Sequence, residues 1–293
     1  MALRARKPES IEKKLKMLLF GSWKVGKTMA ALNFPSVYAI DCEKGMVHDQ
    51  YVRLLQENHS EILQTSDVDE VIEEVRALGT DTHHFQTVLI DPITLIESDL
   101  MEKGEAELRK TTKDYKEGDI RVYGIRDRKL KRLINLLNRL DMNVIVTAHG
   151  KINYAPGGTM QVIGTTFDGW KRWPFEFDLI IELERRGDQR VAIVRGSRLV
   201  TFTELETFQW SYEEFLRRYP IIDKPVTPVV LASAEQVAEL KELLDVVKVP
   251  EDTLDKWLLK AKVDCLEDMS ADTITKCIEF TRAKLPKEAT SEV

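Results

Sequence analysis

Short apolar runs and helical stretches alternate along the first half of the chain. Each run is four or five residues long and almost continuously apolar, which predicts a strand buried on both faces, as in a parallel sheet. Strands that alternate with helices predict an α/β doubly wound core. The runs are 16–20, 36–40, 87–90 and 143–147, and the helical stretches are 27–33, 68–78, 93–108 and 125–140.

The pattern changes after residue 175. Residues 177–183 and 190–194 form two further apolar runs, and Arg186, Gly187 and Asp188 lie between them. This composition is typical of a tight hairpin turn. We therefore predict that the sheet ends in antiparallel strands.

The end of the chain predicts a separate helical module. Prolines interrupt residues 223–232, which we interpret as a linker between a first domain over 1–222 and a module over 233–293. Ser233 with Gln236 three residues later is a capping-box pattern that opens a helix. The three helices predicted in the module are 234–246, 250–263 and 270–284.

Composition narrows the class of protein. The chain has 293 residues, 43% apolar and 31% charged, so it is long enough for a real core and too apolar for a disordered chain. No apolar run reaches the length of a membrane span and residues 1–16 are charged, which predicts a cytoplasmic protein. The three cysteines lack the spacing of a zinc site or a disulfide framework.

Charge is unevenly distributed. The net charge is −6, but residues 224–293 hold 10 basic and 14 acidic side chains and account for most of the excess acid. Residues 103–132 hold eleven basic and six acidic side chains, and residues 1–16 hold six and two. Basic patches for a nucleic acid therefore exist despite the acidic total.

One motif predicts a nucleotide site directly. A complete G-x-x-x-x-G-K-[ST] string lies between the first predicted strand and the first predicted helix, where a phosphate-binding loop (Walker A) belongs. Its glycines let backbone N–H groups turn towards phosphate oxygens, Lys27 neutralises them and Thr28 places a hydroxyl on Mg²⁺. The alternative is a tight glycine turn without a ligand. The eight residues are Gly21, Ser22, Trp23, Lys24, Val25, Gly26, Lys27 and Thr28.

Three further residues follow predicted strands and complete a candidate catalytic set. Asp91 ends an apolar run and is the candidate for the magnesium shell. Glu43 can orient and deprotonate the water that attacks the γ-phosphate, unless it is simply solvated and Asp41 caps the strand. His149 can sense the γ-phosphate, although a lone histidine is often structural.

These segments together resemble the RecA-like ATPase core, in particular the short phage-encoded RecA-like recombinases that anneal single-stranded DNA. The resemblance covers residues 15–200 and implies that Glu43 in the Asp-x-Glu of 41–43 is the catalytic base. RecA has Gln where this chain has His149. The resemblance also implies that residues 150–175 contact DNA, and that Arg195 and Arg198 reach the ATP site of a neighbouring subunit; a surface turn is the alternative for this pair.

The composition of residues 150–175 supports the DNA prediction. Basic groups there neutralise phosphates and aromatic rings stack on bases. The alternative is that Trp170 and Trp173 are core or interface residues. Residues 126–132 form a basic helical stretch whose outer face is more simply solvated. The candidate DNA-binding residues are Lys151, Trp170, Lys171 and Arg172, with Lys113 and Lys116 in a preceding loop.

We therefore expect an ATP- and Mg²⁺-dependent, RecA-like protein that assembles with copies of itself, as a filament or ring, on single-stranded DNA and promotes annealing or strand pairing. If the chain is phage-encoded, it works in the bacterial host cytoplasm. The helical module is the candidate contact for a single-strand DNA-binding protein; the alternative is a small stable bundle. The rivals are a helicase-type or packaging-type motor, a nucleotide-gated assembly protein with little turnover, and a small-molecule kinase.

Overall fold

The structure is a computed structural model that describes residues 7, 13–157, 160–221, 225–247, 249–250 and 252–285. The chain divides into two compact units. The first unit comprises residues 1–65, 84–95 and 141–226, and the second comprises 66–83, 96–140 and 227–293. Some predicted features lie outside the described residues. They are most of the basic patch at residues 1–16, the start of the predicted linker, the end of the predicted module, and Gly158.

A mostly parallel sheet organises the first unit. Its nine described strands run in the order β3-β2-β4-β5-β1-β7-β8-β9, and β6 pairs with β5. The pairs among β1 to β5 and the β1–β7 pair are parallel, whereas β5–β6, β7–β8 and β8–β9 are antiparallel. The strands are β1 Lys16–Gly21, β2 Val37–Asp41, β3 Glu61–Leu63, β4 Thr87–Asp91, β5 Asn143–Tyr154, β6 Val162–Asp168, β7 Leu179–Arg186, β8 Gln189–Ser197 and β9 Thr207–Gln209.

A 3-10 turn at Leu266–Asp268 lies between the last two of the described helices. They are α1 Lys27–Leu32, α2 Asp49–Glu57, α3 Val68–Thr80, α4 Ile93–Thr111, α5 Arg121–Arg139, α6 Trp173–Glu176, α7 Tyr212–Arg218, α8 Ala234–Val246, α9 Thr253–Ala261 and α10 Ala271–Arg282.

The central strands are buried as their sequences predict. All five residues of β4 and five of the six in β1 are buried, because helices cover both faces of a parallel sheet. This burial explains why the apolar runs show no alternation. The α/β core and the antiparallel strands at its end are confirmed.

The second unit has its own apolar core among the C-terminal helices. Leu240, Met269 and Ile274 are fully buried in it, and the Ser233–Gln236 capping box forms as predicted. The unit also contains α3 and α5. The domain boundaries at the proline-rich segment stay a prediction.

Two arginines of α5 hold the turn that precedes α10. Arg132 Nε and Nη2 donate to the carboxylate of Asp268 at 2.7 and 3.2 Å, and Arg139 donates to the Asp268 carbonyl. Asp268 is almost completely buried. Arg132 belongs to the stretch interpreted as a solvated face, but one end of that stretch is thus committed to an internal ion pair.

Residues 150–175 are more regular than the loop predicted from their glycines. β5 continues beyond the sheet to Tyr154 and pairs with β6, which makes an antiparallel hairpin, and α6 follows. The end of β5 and the start of β6, which form this hairpin, are largely exposed and lack a buried face. Their sequence therefore shows no regular alternation of apolar and polar residues. Within the described residues no helix is both long and apolar enough to cross a membrane.

Candidate nucleotide-binding site

Two glycines shape the loop between β1 and α1. A Cβ on Gly21 would lie 2.3 Å from the carbonyl oxygen of Leu183 on β7. Gly26 has φ 98°, and a Cβ there would lie 2.4 Å from Arg190 Nε. A side chain at position 21 would clash with backbone, and the positive φ at position 26 strains any residue other than glycine. The loop therefore needs the glycines that the motif supplies.

Lys27 at the start of α1 points back across the loop. Its Nζ donates to the carbonyl oxygens of Gly21 at 3.0 Å and Ser22 at 2.9 Å. Burial lowers the pKa of Lys27, and the nearby carboxylates of Asp91 and Glu43 partly oppose that shift. The cation is therefore held inside the loop, where it can neutralise phosphate oxygens.

Thr28 and Asp91 meet as the motif requires. Thr28 Oγ1 donates to Asp91 Oδ2 at 2.6 Å, and Thr147 Oγ1 on β5 donates to the other carboxylate oxygen. Burial raises the pKa of Asp91, although both hydroxyls counteract it. A hydroxyl and a carboxylate beside a phosphate loop fit Mg²⁺, which takes one or two protein ligands together with substrate phosphates. The part of the chain that the structure describes has no cluster of three or more His, Cys, Asp or Glu side chains able to hold a metal alone.

Glu43 and His149 lie in contact although Glu43 follows β2 and His149 lies on β5. His149 Nε2 is 2.9 Å from Glu43 Oε1, and both side chains are partly exposed. Asp41 is buried and accepts hydrogen bonds from the backbone N–H groups of Gly45 at 3.2 Å and Met46 at 2.9 Å. Asp41 thus caps the turn that carries Glu43, as one sequence alternative stated, while Glu43 faces the cleft.

A cleft of about 830 Å³ is lined by Lys27, Thr28, Glu43, Asp91 and His149. The sequence analysis did not identify His48, Gln50 and Tyr51 of the α2 region or Arg190 of β8, which also line it. No motif marks them; the α2 region contributes through its position after β2. Trp23 at the tip of the loop is 80% exposed, and the Lys24 ammonium lies 5.4 Å from its ring centre.

Comparison with known proteins agrees with this geometry. Residues 13–205 match the AAA_24 family, described as an AAA domain. The chain belongs to the AAA_24 family. With the strand order above, this membership confirms the RecA-like P-loop fold and identifies a P-loop ATPase.

No curated protein matches this AAA domain. One similar solved structure is described as "The Structure Of A DnaB-Like Replicative Helicase And Its Interactions With Primase". The match covers 67% of this chain and 54% of that chain, with 13% identity and a TM-score of 0.43. The chain therefore spans about half the length of that protein.

The two arginines predicted to act in a neighbouring subunit have partners within the AAA domain itself. Arg195 Nε and Nη2 donate to Glu182 Oε2 at 2.6 and 2.5 Å, and Thr165 donates to the other oxygen of Glu182. Arg198 is more exposed and lies 3.4 Å from Asp178 Oδ1. Arg195 would have to leave a buried carboxylate to reach another subunit, whereas Arg198 would not.

The predicted DNA-binding residues fall into three environments. Lys171 and Arg172 are exposed, and Lys151 Nζ lies 2.8 Å from Asp168 Oδ1 on the hairpin surface. Trp170 is only 5% exposed and packs edge-on against buried Trp173, so its ring is not available for stacking in this structure. Lys113 and Lys116 are exposed between α4 and α5, in the second unit.

The hairpin exposes apolar side chains that the sequence analysis did not single out. They lie on β5, on β6 and just before β6, and they follow no buried pattern. The exposed members are Ile152, Tyr154, Met160, Val162 and Ile163.

Proposed function

We propose that this AAA domain binds and hydrolyses ATP with Mg²⁺, and that the cycle controls binding of single-stranded DNA and its annealing or strand pairing by an assembly of copies of the chain. The Glu43–His149 contact at the root of the β5–β6 hairpin carries this proposal. β5 runs without interruption from His149 in the cleft to Tyr154 in the hairpin. A displacement of His149 on hydrolysis of the terminal phosphate can therefore be transmitted along one strand to the exposed hairpin.

Each group in the cleft has a role in the proposal. Lys27 binds the terminal phosphates, and Thr28 and Asp91 hold Mg²⁺, which neutralises phosphate charge when bound. Glu43 accepts a proton from the attacking water. His149 contacts Glu43 and responds to whether that carboxylate holds the attacking water.

Two substitutions test the ATPase part. Lys27→Ala should weaken ATP binding and abolish turnover, because the phosphates lose their principal cation. Glu43→Gln should keep ATP affinity but lower turnover by about 100-fold or more, since the amide cannot accept the proton. Glu57→Gln, at an exposed acid of α2, is the matched control and should leave both unchanged. Equal losses of binding and turnover in Glu43→Gln would assign Glu43 a structural role.

The DNA part is tested on the hairpin side. Changing Lys151, Lys171 and Arg172 together to alanine should weaken single-strand binding and reduce the slope of log affinity against log salt by about 2, because each phosphate contact contributes about 0.7. A matched triple change of exposed lysines in α9 and α10 should leave the slope unaltered. The control lysines are Lys256, Lys260 and Lys276.

Stacking is proposed for Tyr154 in place of buried Trp170. Tyr154→Ala should weaken binding with little change in salt slope, because stacking releases few ions. Turnover should rise when single-stranded DNA is added to the wild-type protein. Unchanged DNA affinity in both hairpin variants would refute the DNA assignment, and ATP-driven unwinding of duplex would favour the motor alternative.

A further inference from the structure

Arg190 lies against the phosphate loop from the opposite side to the acidic residues. It is the second residue of β8, and β8 begins just after the β7–β8 turn. Leu183 of β7 pairs with Gly21 and Arg190 pairs with Arg185, so this turn lies at the same edge of the sheet as the loop. Arg190 Nε donates to the carbonyl oxygen of Val25 at 3.1 Å.

The loop is built around this arginine. The Cβ that Gly26 lacks would lie 2.4 Å from Arg190 Nε and 3.1 Å from its Cδ and Cζ. The side chain therefore occupies the space that the second motif glycine leaves open. Among the described residues Val25 is the one hydrogen-bond partner of this side chain, so the N–H groups on its two Nη atoms are available to a ligand.

Strand order fixes which end of a nucleotide Arg190 would meet. Along the edge of the sheet the order is β2, β4, β5, β1, β7 and β8. Glu43, Asp91 and His149 follow or lie on the first three strands, on one side of the loop of β1, and Arg190 lies on the other side. The residues suited to water and Mg²⁺ mark the terminal-phosphate end, so the nucleoside end extends towards β7 and β8.

We infer that Arg190 binds the nucleoside of a nucleotide held by the phosphate loop of its own subunit. Its guanidinium contacts the base and the ribose, while its Nε keeps the hydrogen bond to Val25 of the loop. A guanidinium suits this position because its flat face stacks on a base and its remaining N–H groups donate to ribose oxygens. The inference rests on the proposed binding of ATP and assigns Arg190 a part in affinity, distinct from the hydrolytic part proposed for Glu43.

Ligands with and without a nucleoside test this role. Calorimetric titration with Mg²⁺ present would compare ADP, a non-hydrolysable ATP analogue and inorganic tripolyphosphate. Arg190→Ala should weaken binding of the two nucleotides about 10-fold or more and change tripolyphosphate affinity less than about 2-fold. Arg190→Lys should also lose nucleotide affinity, because an ammonium lacks the flat face. Arg186→Ala, an exposed arginine of the same hairpin, is the control and should match wild type.

The outcomes separate this inference from the proposed function. Equal losses for tripolyphosphate and nucleotides would overturn it, because Arg190 would then act only by shaping the loop. Unchanged nucleotide affinity in both folded Arg190 variants, with wild-type circular dichroism and melting temperature, would also overturn it. Wild-type protein that binds tripolyphosphate but no nucleotide would overturn both the inference and the ATP proposal, whereas loss of turnover alone in Glu43→Gln leaves the inference intact.

Discussion

Arg195 and Glu182 form an ion pair across β7 and β8 whose removal should destabilise the AAA domain. Only 3% of the Glu182 side chain and 33% of the Arg195 side chain are exposed. Removing one partner of a buried pair costs about 3–5 kcal/mol, because the other charge is left without compensation. Partial exposure of Arg195 and the hydrogen bond from Thr165 reduce this cost, so we expect Arg195→Ala to lose about 2–3 kcal/mol of unfolding free energy.

Arg198 offers a matched control in the same segment. It lies 3.4 Å from Asp178, and 58% of its side chain is exposed. Exposed pairs of this kind contribute about 0–1 kcal/mol. Arg198→Ala should therefore unfold close to wild type.

Urea titrations followed by circular dichroism, with hydrogen exchange of β7 and β8 as a local probe, measure this difference. Adding Glu182→Gln to Arg195→Ala should recover about 1–2 kcal/mol, because the amide is cheaper to bury than an unpaired carboxylate. A loss below about 1 kcal/mol for Arg195→Ala, equal to that of Arg198→Ala, would refute the reasoning. It would also leave Arg195 free to act in a neighbouring subunit.

The remaining predictions concern the subunit interface, the second unit and pH. We predict that Arg198 acts in trans: Arg198→Ala should bind ATP but hydrolyse it slowly, and mixing it with Lys27→Ala should restore part of the turnover, with no recovery at any ratio as the contrary result. Asp268→Asn should lose about 2–3 kcal/mol in urea unfolding, whereas Asp264→Asn, at an exposed pair with a 3.8 Å separation, should lose less than about 1 kcal/mol. Burial lowers the pKa of Lys16 to about 7, so the unfolded chain binds a proton that the folded chain lacks between about pH 7 and 10. The stability of wild type relative to Lys16→Met should therefore rise with pH between about 7 and 9 in urea titrations, and a flat difference would contradict it.

The parts of the site that the sequence predicted are those encoded by neighbouring residues. The loop of residues 21–28 combines its glycines, lysine and threonine within one turn, so its geometry is a local property of the chain. Asp91 ends a continuous apolar strand, and parallel strands bring their carboxyl ends to one edge. The Thr28–Asp91 hydrogen bond, which joins residues 63 positions apart, was for that reason within reach of sequence reasoning.

Other features depend on which strands become neighbours, and only the tertiary structure decides that. Glu43 meets His149 across 106 positions, and Arg190 meets Val25 across 165. No local pattern encodes these contacts, because they follow from strand order. β4 lies between β2 and β5, and β1 lies between β5 and β7. Trp170 has an aromatic ring of the kind that stacks on DNA bases, but it lies buried. The elements packed around a large aromatic residue decide whether it lies at the surface or in the interior. The sequence by itself determined the phosphate chemistry of this AAA domain, and strand order decided which side chains surround it.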